Sequence, residues 1–326
     1  MNVQSLDFRL LNDFQRDFPL ADQPYRMLAN RLGVDESRVI ERLRILQQQG
    51  EISRVGPVFR PNSVGASTLA AMAVPAERVE VVARRLNRFP QVNHNYEREY
   101  HWNLWFVVTD RDRASLEQTL ARMEEDTGQS LLVLPLVKSY FIDLGFDLVA
   151  GSHRRKMTDD AGRQQPVALP PWADTLIAAV QHGLPLHPRP YLQLAREAGL
   201  TEDQVIDGLR QLLDAGVIKR LGVVVRHRSL GYQANAMVVW DVPDSRVDDA
   251  GRTLAKASCV NLCYQRPRVA GRWPYNLFCM IHGRSREVVR ACVDELAALP
   301  ALRGVAHAVL FSRRCFRQRG AVYRHG

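Results

Sequence analysis

Apolar residues recur at helical spacing from the start of the chain. Leu6, Leu10, Leu11 and Phe14 mark a helix over residues 6–18 that Pro19 ends. Pro24 opens a second helix over residues 25–32, and Gly33 closes it. Asp35 is placed to cap a third over residues 36–49, with Val39, Ile40, Leu43 and Leu46 as its buried stripe and Gly50 as its stop. Residues 52–60 then read as a small hairpin whose arms meet near Gly56 and Pro57. Three helices and a wing of this size predict a winged helix-turn-helix. The period then changes. Strands are predicted over 67–74, 92–99, 102–109 and 131–142, the last interrupted by Pro135, with helices over 77–88 and 113–125. The order β-α-β-β-α-β is that of a ferredoxin-like unit.

The same pattern is written twice. At an offset of 166, Pro24, Tyr25, Leu28, Gly33, Leu43, Gly50, Arg54, Gly56 and Gly65 meet identical residues, from Pro190 through Gly199, Gly216, Arg220 and Gly222 to Gly231. The offset becomes 168 at Asn93/Asn261, Tyr96/Tyr264 and Arg98/Arg266, and 173 at Asn103/Asn276 and Leu104/Leu277. Each change falls in a predicted loop, as expected for an internal duplication. The expected organisation is a helix-turn-helix over 1–65, a ferredoxin-like domain over 66–148 and a linker over 149–171. A second helix-turn-helix over 172–232 and a second ferredoxin-like domain with a basic C-terminal tail over 233–326 follow. Two such halves fold as a pseudo-dimer, and a homodimer of whole chains stays open.

Charge narrows the partners. The 326 residues carry a formal net charge of +9, which suits an anionic partner. No apolar run reaches bilayer length, and residues 1–14 lack a signal-peptide core. The five cysteines form no C-x-x-C pair and are odd in number, which points to reduced thiols in a cytoplasmic protein and away from a disulfide framework or zinc site. Nucleic acid is tested by the third helix of each helix-turn-helix. The second copy carries Glu202, Asp203, Asp207 and Asp214 against Arg210 and would repel phosphates, so it reads as structural. The first mixes Asp35, Glu36 and Glu41 with Arg38, Arg42 and Arg44 and leaves both readings open.

The chemistry concentrates in residues 92–106. If 92–98 is a strand, Val92, His94, Tyr96 and Arg98 share one face, which sets a group titrating near neutrality beside a phenol and a fixed cation. The second copy reads Val260, Leu262, Tyr264 and Arg266, so the phenol and cation return without the histidine. Cys263, on the opposite parity, reads as a packed residue.

The helix-turn-helix followed by a ferredoxin-like domain resembles the Lrp/AsnC regulators. His94-Asn95-Tyr96-Glu97-Arg98 and Asn103-Leu104-Trp105-Phe106 narrow this. With Cys263-Tyr264-Gln265-Arg266-Pro267-Arg268, residues 273–278 and Met280-Ile281-His282-Gly283, they resemble the siroheme decarboxylases, with a D-type half fused to an L-type half. Membership implies an α+β chain that converts siroheme to 12,18-didecarboxysiroheme in haem d1 biosynthesis. The expectation is a protein with no metal or organic cofactor beyond the iron of the substrate and, from the acidic second recognition helix and the absence of a long apolar run, no functional DNA binding and no membrane contact. A flat polycarboxylate macrocycle needs arginines and apolar walls. The expected catalytic residues are His94, the general acid, with Tyr96, Arg98 and His101. Tyr264, Arg266, Arg268, Arg272, Trp105 and Asn103 are the expected substrate-binding residues. Arg313, Arg314, Arg317 and Arg319 are further cations of the tail, while His282 and His307 read as structural. The alternatives are a transcriptional regulator with a small-molecule effector and a tetrapyrrole carrier.

Overall fold

The computed structural model describes residues 5–142, 169–226, 232 and 234–324; most of the expected linker lies outside them. The first half begins with α1 (Leu6–Asp13), α2 (Pro24–Leu32) and α3 (Glu36–Gln48). Ser5 caps α1 by accepting from the Phe8 amide at 3.2 Å, and α2 starts on Pro24 and ends on left-handed Gly33. In the second half α6 (Ala173–Val180), α7 (Pro190–Ala198) and α8 (Glu202–Asp214) repeat this arrangement, with a Thr201/Gln204 capping box on α8.

The hairpin expected at 52–60 does not form. β1 (Ile52–Phe59) runs straight through Gly56 and Pro57 and pairs antiparallel with β7 (Ile218–Val225) of the other half. An isolated two-stranded hairpin is only marginally stable, whereas the cross-half ribbon lies against both sets of helices and joins them into one core. The register places Gly56 opposite its own repeat, Gly222. Each glycine is overlaid by backbone of the opposite half. A Cβ on Gly56 would lie 2.7 Å from the Gly183 Cα, and one on Gly222 would lie 2.4 Å from the Gln15 backbone carbon. The Leu184 amide donates to the Val55 carbonyl at 2.7 Å, and the Phe18 amide to the Leu221 carbonyl at 3.2 Å, one repeat apart. Gly222→Ala is therefore expected to destabilise the fold by about 1–3 kcal/mol, because backbone meets backbone and neither can give. An unchanged thermal midpoint by differential scanning calorimetry would contradict that packing.

The ferredoxin-like units are β2 (Ala66–Met72), α4 (Val79–Leu86), β3 (Val92–Arg98), β4 (Leu104–Asp110) and α5 (Arg113–Thr127), then β8 (Ala234–Trp240), α9 (Val247–Lys256), β9 (Val260–Gln265), β10 (Leu277–Gly283) and α10 (Arg286–Ala298). Their last strands are exchanged. Pro135 divides the expected single strand into β5 (Leu132–Pro135), which stays on β2, and β6 (Lys138–Ile142), which crosses to β9. Reciprocally, β11 (His307–Gln318) begins on β8 and continues onto β3. The product is one nine-stranded sheet, β5-β2-β4-β3-β11-β8-β10-β9-β6. The basic tail is thus largely a strand. Arg314 pairs with Glu97 at 2.5 Å, Arg313 with Glu99 at 3.4 Å, and Arg317 and Arg319 donate to the Val92 carbonyl.

One face of the sheet packs on α4 and α5 in the first half and on α9 and α10 in the second. The other face carries a shared core that includes Trp105, Tyr264, Trp273, Phe278 and Leu310. The reading of five reduced cysteines is corrected as well. Cys259 and Cys292 form a disulfide with Cα atoms 6.5 Å apart, leaving Cys263, Cys279 and Cys315 free. An odd count leaves at least one thiol over but does not say which others come together. No helix among the described residues is long and apolar enough to cross a membrane.

Candidate active site

His94, Tyr96 and Arg98 form a row on the shared face of β3. The His94 and Tyr96 rings stack with centroids 6.4 Å apart, and the Arg98 guanidinium lies 5.6 Å from the Tyr96 ring centre. Their cross-strand neighbours on β4 are Val107 for His94 and Trp105 for Tyr96. Val92 does not share this face. A register shift between Val92 and His94 turns Val92 into the core beneath the helices. The second copy has the same irregularity: Val260 faces the helices while Leu262 and Tyr264 face the shared side. Asn95 points the other way and donates to the Ala83 carbonyl on α4 at 3.2 Å.

The second row stands on the same sheet face. The Arg266 guanidinium lies 4.7 Å from the Tyr264 ring centre. Burial raises the Tyr264 phenol, and the charge of Arg266, followed by that of Arg98, opposes that rise. Arg98 is only 6% exposed and has no described carboxylate in ion-pair range; its Nη1 donates to the Leu310 carbonyl at 3.1 Å and to Asn235 Oδ1 at 3.2 Å. Arg266 likewise has no described carboxylate partner. It donates to the Leu134 carbonyl and leaves its Nε buried without an acceptor. Burial pulls both guanidiniums below their ordinary range. A desolvated cation without a counter-ion is costly, and a ligand carboxylate would relieve that cost.

Burial, and secondarily Arg54, push the partly buried His94 imidazole down to about 4, and its Nδ1 lies 3.2 Å from Asn93 Oδ1. Arg54 comes from β1. Its guanidinium donates to the Pro57 carbonyl at 2.8 Å and sits over Gly320, where a Cβ would come within 2.6 Å of Nη1. Sequence reasoning did not assign Arg54 to the site, although its repeat as Arg220 was visible. The depressed His94 value has a signed consequence. The unfolded chain binds a proton near 6.5 that the folded chain refuses until about 4. Stability is thus full above pH 6.5 and falls as pH drops toward 4. In His94→Leu, which installs the residue of the second copy, the thermal midpoint should decline less over this window; parallel curves for the two proteins would refute the assignment.

The other expected residues fall outside the rows. His101 is exposed in the β3–β4 turn, its ring against Trp102. Asn103 is spent on Val74, accepting from its amide at 3.0 Å and donating to its carbonyl at 2.7 Å, and Asn276 does the same with Val242. Arg268 is held by Asp241 at 2.8 Å and by Asp244. Arg272 is exposed, with its guanidinium 5.0 Å from the Trp102 ring centre and a 3.0 Å bond to the Leu131 carbonyl. Trp105 is buried, donates to the Trp102 carbonyl at 2.5 Å and packs on Trp273. Of the helix-turn-helix cations, Arg42 grips Asp7 through two bonds, Arg38 pairs with Glu41 and Arg44 donates to the Leu186 carbonyl.

Fold and site together define a duplicated AsnC-type protein, two helix-turn-helix units carrying two ligand-binding domains. The description "AsnC-like ligand binding domain" fits residues 63–140 and 229–317, and "Siroheme decarboxylase NirDL-like HTH domain" fits residues 7–52 and 174–219. The chain is 48% identical over 322 residues to the siroheme decarboxylase NirDL subunit of Paracoccus denitrificans, covering 99% of this chain and 98% of that one. It is 30% identical over 313 residues to the siroheme decarboxylase of Hydrogenobacter thermophilus, with coverage of 95% and 92%. A crystal structure of siroheme decarboxylase NirDL with an iron-uroporphyrin III analogue superposes with a TM-score of 0.68 at 28% identity, covering 97% and 93% of the two chains. The chain belongs to the NirDL siroheme decarboxylase family.

Proposed function

We propose that this protein is a carboxy-lyase that converts siroheme to 12,18-didecarboxysiroheme in haem d1 biosynthesis. Two acetate side chains become methyl groups; each event releases one CO2 and consumes one proton. The observation that carries the assignment of the site is the repeated cation–phenol pair, buried Arg98 on Tyr96 and partly buried Arg266 on Tyr264, both guanidiniums without described carboxylate partners, with the His94 ring stacked on Tyr96. In this reading the arginines take substrate carboxylates and the aromatic face lies against the macrocycle. His94 is neutral in the free protein. A bound polycarboxylate beside it favours the charged imidazole and raises its pKa, so that it can hold a proton and deliver it to the macrocycle or to the nascent methylene. Arg98 fixes the departing carboxylate or its neighbour. An axial bond from His94 to the siroheme iron is the competing use of the same imidazole.

The protein works in the cytoplasm without a resident metal or organic cofactor, the iron arriving with the substrate, and its helix-turn-helix units build the pseudo-dimer rather than read DNA. Anaerobic incubation of the purified protein with siroheme, followed by product mass, tests the reading. Loss of two CO2 is expected. Tight binding with no mass change makes the protein a carrier, and absence of binding together with a salt-sensitive DNA shift makes it a regulator.

A further inference from the structure

His282 was read from sequence as structural, but it lies within a chain of hydrogen bonds that leads to Arg98. His282 Nδ1 lies 2.6 Å from Asn261 Oδ1, and its Nε2 lies 2.6 Å from Asn235 Nδ2. The other end of the Asn235 amide, Oδ1, accepts from Arg98 Nη1 at 3.2 Å and from the Ser312 hydroxyl at 3.2 Å. The chain therefore crosses from β9 and β10 through β8 to β3, joining the two halves.

Both ends fix its polarity. Arg98 only donates, so Asn235 must turn its oxygen toward Arg98 and its NH2 toward His282. His282 Nε2 must then be the bare, accepting nitrogen. From the other side, Asn261 Oδ1 accepts from the His282 backbone amide at 2.9 Å, so the same oxygen can only accept from the ring, and Nδ1 must carry the proton. Two independent fixed donors thus select one neutral tautomer.

Among the described residues the first half shows no such chain. The repeat of His282 is Thr109, which accepts from Asn93 Nδ2 at 2.9 Å; the repeat of Asn235 is Ser67, bonded to Asn62 Oδ1 at 2.9 Å. The histidine chain ends on the arginine of the row that contains His94, and Arg266 lacks it.

We propose that His282 is a positioning residue for the decarboxylation. It holds the Asn235 amide with its oxygen toward Arg98 and so sets the guanidinium plane that meets the substrate carboxylate. The proposal rests on the assignment of Arg98 to the substrate, and its test separates the two. KM and kcat for anaerobic siroheme turnover are measured in His282→Phe, Asn235→Asp and Arg98→Met, and in His282→Phe combined with each of the others. His282→Phe is expected to lower kcat/KM about tenfold, split between KM and kcat as Arg98→Met splits it. In the R98M background it should add nothing, since the group it positions is gone. In the N235D background it should also add nothing, since a carboxylate accepts from Arg98 whichever way it is turned. Unchanged kinetics in R98M would overturn the reading of the site itself. An impaired R98M to which His282→Phe adds its full effect, or an unimpaired His282→Phe, would overturn the positioning role alone. Nitrogen-15 NMR of the unsubstituted protein reads the tautomer without any variant: a protonated Nδ1 and bare Nε2 at His282 are expected, and the reverse would overturn the proposal.

Discussion

His94→Ala is expected to lower anaerobic siroheme turnover by about 10²–10³-fold while siroheme binding changes little. A positioned general acid contributes about 10²–10⁴-fold, and water reaching the vacated space recovers part of it. Binding should survive because Tyr96, Arg98, Tyr264 and Arg266 remain, and because a neutral imidazole in the free protein supplies little attraction for a carboxylate. The experiment pairs product mass under single-turnover conditions with siroheme titration of the same variant. Unchanged turnover sinks the acid assignment. Turnover and affinity lowered together, with an altered spectrum for the tetrapyrrole that still binds, would instead fit an axial bond to the iron. The asymmetry of the repeat sharpens the expectation. The second copy carries Leu262 at the corresponding position, so this chain already contains a version of the row that keeps the phenol and the cation and dispenses with the imidazole.

Arg98→Met should separate function from stability. A hydrogen bond to a charged group is worth about 1.5–3 kcal/mol, or roughly 10–150-fold in affinity. Siroheme affinity should therefore fall by at least about tenfold. The free protein, in contrast, should keep its thermal midpoint, with stability changed by less than about 1 kcal/mol. Two contributions oppose one another there. Removing a buried cation that lacks a described carboxylate relieves desolvation, whereas the Leu310 carbonyl and the Asn235 amide each lose a donor. Methionine fills the volume, so no large cavity adds to the balance. A collapse of the fold in Arg98→Met would make the arginine a structural strut, and an unchanged affinity would remove it from the substrate.

Much of this was legible in one dimension. Helix positions, the capping of α2 by Pro24 and Gly33, and the doubling of the chain follow from spacing and repeated residues, which act over a few positions or recur at a fixed offset. The row of His94, Tyr96 and Arg98 was legible for the same reason, since alternation along a strand is a local property. Its neighbour Val92 was misplaced because a bulge turns the chain by one residue, and nothing in the residue types announces it. Asn103 and Arg268 looked available because their takers, the Val74 backbone and the pair Asp241 and Asp244, lie across loops whose approach the sequence does not state.

By itself, then, the sequence determined the elements, their repetition and which side chains share a strand face, because these depend on local propensity and period. Only the tertiary structure decided how the halves combine: β1 on β7 in place of two hairpins, β6 and β11 exchanged, Cys259 joined to Cys292, and Arg98 linked through Asn235 to His282. An exposed strand edge accepts any partner of suitable register, and a buried cation finds its neighbours only when two surfaces close on it. Those choices are set by the joint burial of two apolar faces distant in the chain, which a pattern read along one strand does not contain.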